Sequence, residues 1–116
     1  MKFREHEAKQ IFRDAGIPVP NSELINRAGE AAAAQARVAD HVVLKAQVDV
    51  GGRGKAGGIL PATDENISEV AKELFGKTIK GLPVEQVLVE EALDIQHEYY
   101  LSITIDRSAK MPVILF

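Results

Sequence analysis

The sequence predicts an α+β fold, a mixed sheet with flanking helices, and three observations carry that prediction. Apolar residues recur at helical intervals near residues 8–15 and 67–75. Runs rich in β-branched residues at 42–48, 84–90 and 99–105 alternate with them. Only short connections lie between, with no internal repeat, so the 116 residues make at most one domain of ordinary size.

The first element is a helix, because Ala8, Ile11, Phe12 and Ala15 share a face and Gly16 follows as its stop. Ile17-Pro18-Val19-Pro20 is extended after it, since each proline biases its predecessor away from the α region. Ser22 to Ile25 is a candidate short strand. Gly29 to Val38 is rich in alanine and high in helix propensity. Val42 to Val48 is a strand, and Gly58 to Leu60 begins another. Thr63 or Asp64 caps a helix whose Ile67, Val70, Ala71, Leu74 and Phe75 form a core stripe ended by Gly76. Val84 to Glu90 is a strand with one side buried. Leu101, Ile103 and Ile105 alternate with Tyr100, Ser102 and Thr104, the turn Asp106 to Lys110 is polar, and Met111 to Phe116 returns antiparallel. An apolar strand at the chain's end is expected of a piece of something larger.

Composition excludes several functions. No apolar run approaches the ~20 residues of a membrane-spanning helix, and the charged N-terminus is neither a secretion signal nor a transit peptide. Zero cysteines remove thiolate catalysis and zinc–sulfur sites, and a cytoplasmic protein is expected. The net charge of −3, with acids and bases mixed, argues against a nucleic-acid surface. His6, His41 and His97 lack a partner at ligand spacing and read as surface histidines, so no metal is assigned to this chain.

Between the strands at 42–48 and 58–60 lies the segment that carries chemistry. Of the eight residues Gly51 to Gly58, five are glycine and two are cationic. Glycine exposes backbone N–H groups to a phosphate chain, while Lys45, Arg53 and Lys55 supply positive charge. Gly52 to Gly57 matches G-x-G-x-x-G, but a dinucleotide loop must open a helix, and Gly58-Ile59-Leu60-Pro61 begins one poorly. Gly76-Lys77-Thr78 fails as a Walker A motif, whose first glycine would stand at Ala71 inside a helix. What remains is a strand, a glycine-rich cover loop and a second strand, as in folds that close a flap over phosphates. The competing reading is a hairpin with solvated charges.

Several segments are shared, in order and spacing, with a known family: Glu5, Ala8-Lys9, Gly16 to Pro20, Leu44 to Val48, Gly51 to Gly58, Val87 to Glu91 with Asp94-Ile95, and Ile105 to Arg107. On these the chain resembles the β subunit of succinyl-CoA synthetase (succinate–CoA ligase) over essentially its whole length. The sequence departs from the family at Arg4-Glu5-His6, where His-Glu-Tyr is usual, at Asp49, where many members carry histidine, and in a short connection at Lys80-Gly81-Leu82-Pro83.

The resemblance implies the N-terminal subdomain of an ATP-grasp fold, an α/β sandwich. Residues 1–20 would be a leading helix and extended segment, and residues 21–116 a nucleotide-binding subdomain. It implies that Lys45 contacts ATP phosphates, that Gly52, Arg53 and Gly54 cover them, that Glu90 ends the adenine-contacting hinge, that Leu93 offers backbone groups there, and that Glu98 binds the ribose hydroxyls. Taken singly, Lys45 also reads as a snorkelling strand lysine, and Glu90 and Glu98 as solvated acids. The implied cofactors are ATP/ADP, with GTP as the alternative base, and Mg2+ held by residues beyond this chain. The implied reaction joins succinate and CoA through a phosphohistidine on a partner α subunit, so the chain would hold no catalytic residue and be inactive alone. Related acyl-CoA ligases acting on malate, citrate or acetate, and a non-catalytic binding module, are the rival readings.

Overall fold

The computed structural model describes residues 2–116. Helix α1 (Glu5–Asp14) leads to strand β1 (Ser22–Ile25), a 3-10 turn (Ala28–Glu30) and helix α2 (Ala31–Val38). Strands β2 (His41–Ala46) and β3 (Ile59–Thr63) flank the glycine-rich loop, and helix α3 (Ile67–Phe75) follows. A small hairpin pairs β4 (Thr78–Ile79) with β5 (Leu82–Pro83), strand β6 (Val87–Glu91) returns to the main sheet, and β7 (Ser102–Asp106) pairs with β8 (Met111–Leu115) in a separate hairpin.

The α+β class is as expected, but the sheet is not mixed. Its order is β1-β6-β2-β3 and every neighbouring pair is antiparallel. β2 and β3 form a hairpin across the glycine loop, and β6 inserts between β1 and β2, running opposite to both. Strands that run the same way, β1 with β2 and β6 with β3, are thereby kept apart. Pro61 sits in β3 because β3 is an edge, where a missing N–H costs no ladder bond.

One face of this sheet carries the core. Val42, Leu44 and Ala46 of β2 alternate with outward neighbours, and with Val87 and Val89 of β6 and Ile25 of β1 they meet α2 and α3. Ala31 and Ala34 let α2 approach closely, and Ile67, Ala71 and Leu74 supply the stripe expected of α3. The N-cap of α3 is Asn66 in place of Thr63 or Asp64; its Oδ1 accepts from the Thr63 N–H at 2.8 Å, which closes the turn before the helix.

Helix α1 lies over the other face and packs differently from a core helix. It buries no residue, and Ile11 and Phe12, half of its apolar stripe, stay 48% exposed. Its docking is polar. The His6 backbone N–H and Nδ1 each lie 3.0 Å from Gln47 Oε1, so His6 anchors the helix where a free surface histidine was expected. The β7–β8 hairpin forms antiparallel as expected, yet Leu101, Ile103, Ile105 and Ile114 remain exposed.

Candidate functional site

The pleat of β2 places Lys45 on the face opposite the core, beside Leu88 of β6 and two residues before Gln47. Across the ladder, Val43 pairs with Glu90, which turns the Glu90 carboxylate onto the same face at 5% exposure. A buried carboxylate needs compensating charge. It receives Lys45 Nζ at 2.7 Å and a second ion pair from Lys9 of α1.

Glu5 completes the cluster from the first turn of α1. Its Oε1 accepts from Lys9 at 2.8 Å and from Lys45 at 3.0 Å, and its Oε2 accepts from Arg53 Nη2 at 2.5 Å. Burial pushes the Glu5 carboxyl up, but the hydrogen bonds from Lys9, Arg53 and Lys45 outweigh it and hold the group down at about 2. Burial likewise disfavours the Lys45 ammonium, and its bonds to Glu90 and Glu5 more than offset that, so its pKa is raised.

The glycine loop is shaped by short internal bonds. Gly52 holds φ +71°, a left-handed conformation that a side chain would strain. The Gly58 N–H donates to the Arg53 carbonyl at 2.7 Å, and a Cβ on Gly58 would lie 3.1 Å from that same oxygen. This turn folds Arg53 back over the strand, where Nη1 donates to the Ala46 carbonyl at 2.7 Å. Among the described residues, the N–H groups of Gly52, Arg53 and Gly54 donate to no protein acceptor. A cavity of about 360 Å3 opens beside them, lined in part by Arg4, Glu5, Asp49, Gly51 and Arg53.

Two positions at which the resemblance leads to an expected departure from the family pattern answer each other here. Arg4 Nε lies 3.2 Å from Asp49 Oδ1, so the residues at the two positions form one ion pair. In the third, Lys80 and Gly81 take φ +49° and +83° in the β4–β5 turn, and Lys80 Nζ reaches the Gly51 carbonyl at 2.6 Å. Lys77, which follows α3 and belongs to no Walker motif, donates to the Gly57 carbonyl at 3.1 Å.

The structure thus brings Lys45, Arg53 and Glu90 together, with Gly52 and Gly54 flanking Arg53. Leu93 and Glu98 lie apart, on the exposed segment after β6, and among the described residues neither makes a side-chain hydrogen bond or ion pair to the cluster. Glu98 lines a separate open cavity of about 570 Å3 with Ile95, His97, Tyr99 and Tyr100. Glu5 and Lys9 received no role from the sequence reading, which followed the apolar stripe of α1. Their i, i+4 spacing on one helical face was the available signal.

The anion-binding features fit a phosphate chain: unengaged amides, two cations and adjoining space. They do not fit a divalent cation. Glu5 and Glu90 are both engaged by ammonium or guanidinium groups, and no cluster of three His, Asp or Glu ligands occurs among the described residues.

Known proteins align with this chain along its length. The ATP-grasp domain family matches residues 2–116. The succinate–CoA ligase [ADP-forming] subunit beta of Methanocaldococcus jannaschii is 55% identical over 100% of this chain and 32% of its own length. The proteins of the same name from Bacteroides thetaiotaomicron and Halorubrum lacusprofundi are 50% and 48% identical, each over 99% of this chain and 31% and 30% of their own lengths. The chain spans about a third of the length of the curated relatives it matches.

Proposed function

The chain belongs to the ATP-grasp domain family, and we propose that it is the nucleotide-binding N-terminal portion of the β subunit of an ADP-forming succinate–CoA ligase. The observation that carries this reading is the convergence of Lys45 and Arg53 beside the unengaged amides of Gly52, Arg53 and Gly54. Cations and N–H dipoles fixed in advance are what binding a polyphosphate requires. The identities of 48–55% to proteins of that name support the same assignment.

In this reading Lys45 and Arg53 hold the phosphates and the Gly52–Gly54 backbone covers them. The end of β6 at Glu90, Leu93 and Glu98 serve the adenosine end, where a backbone can read a base edge and a carboxylate can accept from two hydroxyls. ATP or GTP is the ligand, succinate and CoA are the co-substrates, and a partner α subunit carries the phosphorylated histidine. Mg2+ ligands and the acid-binding residues come from outside residues 1–116, so this chain alone makes no succinyl-CoA. The cytoplasm is its place of action; among the described residues no helix is long and apolar enough to cross a membrane.

Calorimetric titration of ATP and GTP into the chain and into Lys45→Ala tests the assignment. Loss of a charged contact should weaken nucleotide binding by about tenfold or more. Equal affinity in both proteins would remove Lys45 from the site and the reading with it.

A further inference from the structure

A carboxylate already stands where the phosphate chain is assigned. Glu5 bridges the two cations, accepting from Lys45 on one oxygen and from Arg53 on the other, at 3.0 and 2.5 Å. Carboxylate and phosphate oxygens satisfy a cation in the same way, with charged hydrogen bonds of about 2.7–2.9 Å. The cavity beside Glu5 and Arg53 gives a second anion room to approach.

The helix that delivers Glu5 is held so that it can be lifted. None of its residues is buried, and its links to the sheet are ion pairs and hydrogen bonds: Glu5 to Lys45 and Arg53, Lys9 to Glu90, and His6 to Gln47. Lifting it gives up polar contacts, of which an incoming polyanion replaces those of Glu5 in kind, and uncovers Leu88 on that face, without opening the core between the sheet and α2 and α3. Three cations face two carboxylates in the cluster. With α1 lifted, Lys9 leaves together with Glu5, so Lys45 and Arg53 face only Glu90 and the donors that Glu5 held are free for phosphate.

We propose that Glu5 is a built-in competitor for the phosphate chain: an entering polyphosphate displaces its carboxylate from Lys45 and Arg53, and α1 comes off the sheet as the ligand seats. This rests on the assignment of Lys45 and Arg53 to the phosphates. A helix of 10 residues is marginal in water by itself, so α1 frays once undocked. Lys9 leaves with α1, and Lys45, which already pairs with Glu90 at 2.7 Å, keeps that carboxylate compensated while it turns to the ligand.

The experiment titrates ATP and inorganic tripolyphosphate into the chain, Glu5→Gln and Lys45→Ala by calorimetry, and follows amide hydrogen exchange across α1 in the unmodified chain. Removing the competing charge while keeping its shape should tighten binding of both ligands by about tenfold. Saturation with either ligand should speed exchange within α1, a readout that needs no variant to fold. Binding by Glu5→Gln that is unchanged or weaker, or slower exchange in α1 on saturation, overturns the competitor while a deficient Lys45→Ala leaves the phosphate assignment standing. Undiminished binding by Lys45→Ala, or no binding by any of the three, overturns both.

Discussion

The two faces of the central sheet are made by the same strands and held by opposite physics. On one, Val42, Leu44, Ala46, Val87 and Val89 close against α2 and α3 with no charge among them. On the other, Lys45, Gln47 and Glu90 meet Glu5, His6 and Lys9 of a helix none of whose own residues is buried. Apolar burial is non-directional and survives small displacements, whereas ion pairs are specific, exchangeable and sensitive to pH and competing ions. Alternation along β2 therefore separates what keeps the domain folded from what builds the proposed binding site.

The sharpest break in this comparison is Leu44→Ala. Leu44 is fully buried, so the variant should lose about 2–5 kcal/mol of unfolding free energy in a denaturant titration. Acid comes next, because it removes all of the Glu5 ion pairs together. The carboxyl is held at about 2, below the ordinary value of 4.5, so its contribution is complete above 4.5 and is lost as the pH falls toward 2. Amide spectra recorded between pH 6 and pH 2 should show α1 leaving the sheet before the β2 and β6 signals on the core side change.

Lys45→Ala should cost less than Leu44→Ala, about 1–3 kcal/mol, since Glu90 keeps Lys9 as a partner. A larger loss than that of Leu44→Ala, in the same titration, would erase the division of labour between the faces. Smallest of all is Asp49→Ala. Its pair with Arg4 is open to solvent, and the melting temperature should not move.

Much of the architecture was legible in the residues. The stripe of α3, the two strands on either side of the glycine loop and the antiparallel return of β8 beside β7 follow from periodicity and turn chemistry, which are local. The antiparallel sheet was not, because insertion of β6 between β1 and β2 is a long-range choice that no window of sequence records. Nor was the docking face of α1. Its apolar residues pointed to one side, while Glu5, His6 and Lys9 face partners that lie 40 or more residues away. At the site, Lys45 and Arg53 were marked by the residue pattern and Glu90 by the family resemblance alone, and the three do converge. Glu5, which binds two of them, was hidden because a single acid at a helix start also reads as a favourable helix-dipole partner.

The lysines at the β4–β5 corner have a mechanical consequence. Lys80 fastens one foot of the glycine loop at Gly51 and Lys77 fastens the other at Gly57, so the span between them is a flap with pinned hinges. Swinging motion is restricted to its middle, and a ligand that clamps Gly52 to Gly54 pays an entropic toll on a stretch already shortened from both ends.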